Sequence, residues 1–385
     1  SLESREGGFV LTNPETLGSP GVLDMLASLP LIHGVIDEAH TVIQWGETFR
    51  PSCLLVGSRL RALDIPVITA CTATASPSMV PKLRRHLFQD SWMHVIRGNP
   101  DRPNITYQLL HTLSRRHDVT RLADPSIGVP RPAVCFCPTR RVAEQTAAML
   151  KDRLNDPDIA HYHAGLASEE KVRLESWFFS HPRALLCATT AYGIGVDKPD
   201  IRGVIHITAP PTAEAYLQET GRCGRDGKLS RAVLLDDPFV LSSRSSPLTR
   251  LLSDHSRCRR QQLLSLMGCE AGSCSGCDVC SRTFIPEADG QQQLIQAVSA
   301  HPRRHHIRGW ASLLSRSGKG YPGSFALLRY RNLPDMRHWH REDIIQALGR
   351  LISAGTIASD SRGSWKGLLY IKSQSPLIKN RTDNL

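Results

Sequence analysis

Apolar residues in the first 240 positions come in short, nearly unbroken runs separated by longer stretches with helical spacing. Leu31 to Ile36 and Pro66 to Ala70 are such runs. They are too short for a buried helix, and they predict strands covered on both faces in a parallel sheet. Phe9-Val10-Leu11-Thr12 predicts a further short strand, while Leu23 to Leu29 and the basic Val80 to Phe88 are spaced as helices. A second series opens at Ala133 to Cys137. A helix follows from about Arg141 to Leu154, with Val142, Ala143, Thr146, Ala147 and Leu150 on one face. Then come a strand at Ile159 to His163, a helix at Ser168 to Phe179, strands at Ala184 to Thr189 and Gly203 to Ile207, a helix near Ala213 to Gln218, and a strand at Arg231 to Leu235. Strands alternating with helices imply a parallel α/β sheet. The join between the two series falls at Gly98 to Pro103, rich in Pro, Gly and Asn.

After Pro238 the rhythm breaks in a polar stretch, Ser242 to Ser246, and a cysteine-rich segment covers 248–284. Beyond Pro286 the pattern is helical. Glu342 to Ala354 carries Ile344, Ile345, Leu348, Leu351 and Ile352 on one stripe, opens with acids and is followed by Gly355. Thr356-Ile357-Ala358, a Gly/Ser turn and Leu368 to Ile371 complete a set of elements that fits a winged helix. With 385 residues, two to four domains are expected at roughly 100–200 residues each. The predicted segments are 1–100, 101–240, 248–284 and 288–372.

Composition narrows the class. No apolar run approaches the ~18 residues of a membrane span, and no leader pattern opens the chain. Eleven cysteines without an export signal point to a reducing, intracellular setting, cytoplasmic or nuclear, with thiols or metal ligands rather than disulfides. The net charge is +11, and residues 291–385 hold 15 Lys/Arg against 5 Asp/Glu, a net of +10. The basic excess is thus a C-terminal property, readable as a solvated face or as a contact surface for phosphate backbones.

Asp37 and Glu38 end an apolar strand. Adjacent acids there serve either as helix caps or in phosphoryl transfer, where the first carboxylate holds Mg²⁺ and the second positions water. The tetrad Asp37-Glu38-Ala39-His40, followed by Thr72-Ala73-Thr74, favours the second reading, with Thr72 and Thr74 within reach of the acidic loop. Arg222 and Arg225 sit three apart on one face of a helix or turn, within Gln218-Glu219-Thr220-Gly221-Arg222-Cys223-Gly224-Arg225-Asp226-Gly227. Arginines so placed neutralise charge developing on a γ-phosphate; a solvated face would have no use for the glycines and flanking acids. Trp45, Phe49 and Arg50 read either as a core aromatic pair or as a loop that stacks a single-stranded base and clamps its phosphate. Cys258, Cys274, Cys277 and Cys280 form a C-x15-C-x2-C-x2-C pattern. Four thiolates suit a closed tetrahedral Zn²⁺ site, with Cys269 a competing ligand and a redox C-x-x-C the alternative chemistry. The other cysteines, Cys53, Cys71, Cys135, Cys137, Cys187 and Cys223, read mostly as core.

Taken together, these motifs make the sequence resemble the RecQ family of DNA helicases, within helicase superfamily two. The likeness also rests on Asp101-Arg102-Pro103-Asn104-Ile105, on Tyr162-His163-Ala164-Gly165-Leu166, and on Ala188-Thr189 through Gly193-Ile194-Gly195-Val196-Asp197-Lys198-Pro199. The resemblance implies two RecA-like parallel α/β domains, the first incomplete, then a zinc-binding helical module and a winged helix. By it, ATP and Mg²⁺ are handled by Asp37 and Glu38, with Gly195, Asp197 and Gln218 near the nucleotide and Arg222 and Arg225 as arginine fingers. His40 would relay between ATP and DNA sites. The loop with Trp45, Phe49 and Arg50 would couple DNA binding to hydrolysis, although Glu47 stands where the family often has histidine. The Cys258-Arg259-Arg260 start matches the family's zinc module, and the winged helix would grip duplex DNA.

The family places a phosphate-cradling G-x-x-x-x-G-K-[S/T] loop in its first domain; none occurs in these 385 residues, so a fragment of a longer helicase is the expectation. The leading functional reading is an ATP-dependent, 3′-to-5′ DNA helicase of repair and recombination acting on single strands and duplex junctions. The competing reading is a non-enzymatic zinc and winged-helix DNA-binding protein with a vestigial motor. Retention of Asp37, Glu38, Arg222 and Arg225 favours the first.

Overall fold

The computed structural model describes residues 7–46, 50–73, 75–190, 198–238, 247–270, 272–317, 330 and 333–371. The chain divides into two compact units. One runs to Asp101 and takes in the stretch from Leu263 to position 271; the other holds Arg102–Gln262 and the chain from Gly272 onward.

The first unit contains α1 (Pro20–Ala27), β1 (His33–Ile36), α2 (His40–Gly46), α3 (Val56–Ala62), β2 (Val67–Ala70) and α4 (Met79–Phe88). β1 and β2 pair in parallel, with Gly34 opposite Ile68 and Ile36 opposite Ala70. The expected strands and their direction are present, but not their burial on both faces. Side chains alternate across a strand. The Gly34/Ile36 side faces Leu60 and Ile65 and the apolar cluster of Leu26, Val42, Leu83 and Leu87, while Val35 and Val67 on the other side stay 61% and 52% exposed. Among the described residues the two strands have no further layer on that side, so the apolar run is only half used. The strand expected at Phe9 to Thr12 does not form. Those residues have no regular structure, with Phe9 and Leu11 exposed.

The second unit is built on a six-stranded, wholly parallel sheet of β3 (Ile105–His111), β4 (Ala133–Phe136), β5 (Ile159–Tyr162), β6 (Leu185–Ala188), β7 (Gly203–His206) and β8 (Ser230–Asp236), in the order β3-β8-β7-β4-β6-β5. The crossovers carry α5 (Arg115–Ala123), α6 (Arg140–Leu154), α7 (Ser168–Ser180) and α8 (Ala213–Thr220). The central strands β4, β6 and β7 are buried at every position, as apolar runs covered on both faces must be. Ser114, Thr139 and Thr212 cap α5, α6 and α8, each accepting a backbone N–H three residues on. β3 and α5 have no counterpart in the sequence reading. β3 nevertheless alternates strictly, with Ile105, Tyr107, Leu109 and His111 inward.

Short helices α9 (Pro247–Leu252) and α10 (Arg259–Leu266) follow the sheet. Downstream come α11 (Gln291–Ala300), α12 (Ile307–Ser315) and α13 (Arg341–Ser353), then an antiparallel pair, β9 (Ile357–Ser359) and β10 (Leu369–Ile371). The predicted stripe on α13 is the buried one. Ile344, Leu348 and Leu351 enter a core with Trp310, Leu314, Trp339 and Leu369, and Ile345 and Ile352 flank it.

This C-terminal layer is fastened to the α/β layer by buried charge. Arg153 of α6 donates to both carboxylate oxygens of Asp343 at 2.7 and 3.1 Å, and Asp343 is wholly buried. Arg350 reaches buried Asp237 at 3.0 Å, and His117 meets Asp289 at 3.0 Å. Removing one member of a buried pair strands the other. Arg153→Ala is therefore expected to destabilise the second unit by about 3–5 kcal/mol, read as a lower midpoint in urea unfolding. Nearby, Thr112 donates to Asp118 at 2.5 Å, and burial pushes the Asp118 carboxyl up from 3.8 to about 7. An acid whose folded pKa is raised holds its proton more tightly when folded. Its contribution is therefore fully present below pH 3.8 and is lost as pH rises to about 7. Asp118→Asn should flatten that fall, so that melting curves of chain and variant diverge across this window with the variant the more stable at its upper end.

Candidate functional sites

In the first unit the Asp37-Glu38-Ala39-His40 box sits on the turn between β1 and α2. The parallel ladder continues past the strand ends. Cys71 donates its N–H to Ile36 O and Ala39 donates to Cys71 O, both at 2.8 Å. That register delivers Thr72 to His40, whose Nδ1 lies 2.9 Å from Thr72 Oγ1 and 3.2 Å from Glu38 Oε2. His40 is buried, and Asp37 is exposed. Asp37 Oδ1 accepts the Glu38 N–H at 2.8 Å. Glu38 itself has φ +46°, left-handed for a residue with a side chain. Such strain, of order 1–3 kcal/mol, gathers at functional sites. Two acids and a buried imidazole from the β1–α2 connection thus meet a threonine hydroxyl from beyond β2. Thr74 lies outside the described residues.

Trp45 lies on α2, but its side chain and all of Phe49 lie outside the described residues. Arg50 makes two hydrogen bonds to Glu15, at 2.9 and 2.6 Å, and its guanidinium holds the Glu15 carboxyl down at about 2.

In the second unit, Gln218 lies in α8, which ends at Thr220, so Arg222 and Arg225 stand on turns rather than on the helix. They differ in setting, Arg222 being 5% exposed and Arg225 open to solvent. The turn is shaped from the Asp101–Ile105 motif. Arg102 donates to the carbonyls of Gly221, Cys223 and Gly224 at 3.0, 3.1 and 2.8 Å, and Asn104 Nδ2 donates to those of Gly224 and Lys228. Glu219 reaches back to His206 at 2.7 Å, both buried, which fixes the end of α8 to the end of β7. These supporting residues were missed by the sequence reading, although Arg102 and Asn104 lay within a quoted motif. Gly195 and Asp197 lie outside the described residues. Of their run, Lys198 is buried with its ammonium on Phe179 O at 2.7 Å and Asp200 at 2.9 Å.

Cys258, Cys274, Cys277 and Cys280 bring their sulfurs within 4.8 Å of one another, and Cys269 is not among them. Cys258 and Cys277 are 4.0 Å apart, close to the ~3.8 Å edge of a tetrahedron with metal–sulfur bonds of ~2.3 Å. The Cys280 N–H points at Cys277 Sγ at 3.4 Å, the kind of outer hydrogen bond that steadies a thiolate ligand. The loop is held on the open edge of the sheet. Asp278 accepts from Leu109 N–H and from Arg259 Nε, and its own N–H goes to Tyr107 O. Arg260 donates to the carbonyls of Arg102 and Ile105. Of the six cysteines read as core, all are buried except Cys71, which is exposed because β2 ends on the uncovered side; Cys269 is half-buried.

The family described as helicase conserved C-terminal domain matches residues 117–227. The "Probable ATP-dependent DNA helicase RecS" of Bacillus subtilis (strain 168) is 37% identical over 232 residues, 60% of this chain and 46% of that protein. The "ATP-dependent DNA helicase RecQ" of the same organism is 32% identical over 267 residues, 68% of this chain and 44% of that protein. The chain thus spans somewhat under half the length of these relatives. In fold, it is similar to the solved structure "DEAD-box helicase Mss116 bound to ssRNA and UDP-BeF", with TM-score 0.50 and 17% identity over 88% of this chain and 64% of that one.

The arginine turn offers a direct check. Gly224 has φ +52°, and a Cβ there would stand 2.5 Å from both Asn104 Nδ2 and Lys228 O. Gly227 has φ +80° but open space. Gly224→Ala should therefore lower the urea midpoint of the second unit more than Gly227→Ala does, by on the order of 1–3 kcal/mol against about 1.

Proposed function

The chain belongs to the RecQ family of superfamily-two helicases, and from that premise we propose that it forms part of an ATP-dependent DNA helicase. In this reading Asp37 binds Mg²⁺ and Glu38 orients and polarises the water that attacks the γ-phosphate. Bound Mg²⁺ supplies charge neutralisation at the phosphates. Arg222 and Arg225 stabilise the charge that develops on the transferred group, with Gly195, Asp197 and Gln218 as further nucleotide contacts. Trp45, Phe49 and Arg50 contact single-stranded DNA, and Arg50 would exchange its pairing with Glu15 for a phosphate. The four cysteines hold a structural Zn²⁺, and the segment 288–372 is a winged helix that grips duplex DNA near a junction. By analogy with the family, translocation is 3′ to 5′ and the setting is repair and recombination. The domain limits proposed are 1–100, 101–240, 248–284 and 288–372.

The observation that carries the reading is His40. A buried imidazole that touches both Glu38 and Thr72 links the acidic box to the threonine motif. A helix-capping role for the two acids would have no need of that link, nor of a strained Glu38.

The test is ATP hydrolysis with and without single-stranded DNA, measured on this chain and on versions extended upstream, beside Glu38→Gln. The expected outcome is DNA-stimulated hydrolysis that Glu38→Gln lowers at least ~100-fold with DNA binding retained. A chain that binds DNA tightly, but stays inert in every extended version, would sink the motor reading in favour of a DNA-binding module.

A further inference from the structure

Outside the sites described above, one cluster of ligating side chains has no assigned use. β5 runs Ile159–Tyr162, and side chains two apart on a strand share a face. His161 and the following His163 therefore point the same way, and their rings stack at 5.6 Å. Glu144, on α6, reaches the same place, with Oε1 2.8 Å from His163 Nε2. One ligating atom from each of the three lies within 4.8 Å of the others. His163 is buried, and among the described residues its Nδ1 makes no hydrogen bond, so one ring nitrogen is without a partner.

We propose that Glu144, His161 and His163 form a second metal site, distinct from the cysteine cluster, for a divalent late transition-metal ion of the zinc type. Two imidazoles and one carboxylate are a recurrent ligand set for such ions and leave a coordination position open. With metal–ligand bonds of ~2.0–2.1 Å, neighbouring ligands lie ~3.3 Å apart, within reach from the present spacing by small side-chain rotations. Binding through His163 Nε2 replaces its hydrogen bond to Glu144 Oε1, and the imidazole takes the tautomer that carries its proton on Nδ1, so the ligand is a neutral imidazole beside a carboxylate. Occupied, the site braces α6 against the Tyr162–Leu166 run at the C-terminal end of β5.

A rival cluster, His117, Asp289 and His338, is less suited. The Asp289 oxygen already carries the Arg121 guanidinium at 2.7 Å, and the His117 ring lies flat on Trp339 at 3.7 Å. Among the described residues Glu144 has no such competing cation.

The experiment is a Co²⁺ titration of the 385-residue chain after its cysteines have been saturated with Zn²⁺, followed by metal analysis. The expected result is one further equivalent of bound ion. Its visible bands should be those of nitrogen and oxygen ligands, without the intense thiolate charge transfer that cysteine ligation gives. His161→Ala and Glu144→Gln should each weaken this binding more than about tenfold, the low end for losing even an outer-sphere partner. Cys280→Ser and His338→Ala should leave it unchanged. Retained zinc in the first two variants shows that they fold. The proposal fails if the chain takes up no further ion, if His161→Ala binds as tightly as the parent, or if His338→Ala abolishes uptake instead.

Discussion

Two adjacent arginines, Arg259 and Arg260, are 1% exposed, and the second unit is arranged to satisfy them. A buried guanidinium is tolerated only when its donors are matched. Asp278 takes Arg259, and the carbonyls of Arg102 and Ile105 take Arg260. The same bonds seat the cysteine loop on β3, an edge strand whose free N–H and C=O groups would otherwise invite pairing with another chain. Arg102, held by its carbonyl, turns its own side chain to three carbonyls of the Arg222 turn. Charge-assisted hydrogen bonds, joined through the Arg259–Arg260 backbone, therefore link the cysteine loop past the start of the sheet to the turn that carries Arg222.

The parallel order of the second sheet was legible because β4, β6 and β7 are buried on both faces, and such strands announce themselves as unbroken apolar runs. β3 and α5 were not legible. Ile105 to His111 alternates with Thr, Gln and Leu and ends in histidine, and α5 buries the polar His117 and Asp118, the first of which is met by Asp289 from a distant segment. The reverse error occurred at Leu31 to Ile36, where a run dense in apolar residues forms a strand with one covered face. Periodicity reports what a segment can bury, not what is there to bury it.

The candidate sites divide in the same way. The gathering of the four cysteines and the meeting of the acidic box with Thr72 were readable because those residue types stand at short, regular intervals in the chain. The supporting groups, Asn104, Glu219, Asp278 and His206, were not. Each acts by satisfying a backbone or side-chain group more than ten positions away, and no local pattern encodes that. The strain at Glu38 is equally silent in sequence, since nothing in the letters marks an acid that must adopt a glycine-like backbone.

The salt-linked seam formed by Arg153–Asp343, Arg350–Asp237 and His117–Asp289 has a mechanical corollary. A hinge between layers needs contacts that slide at little cost, as apolar ones do. The buried, bidentate member, Arg153–Asp343, resists sliding, because a displacement of an ångström strands both charges. The helices that carry the β9–β10 hairpin are thereby keyed to α6 of the sheet layer at one fixed point rather than resting on it through apolar contacts alone.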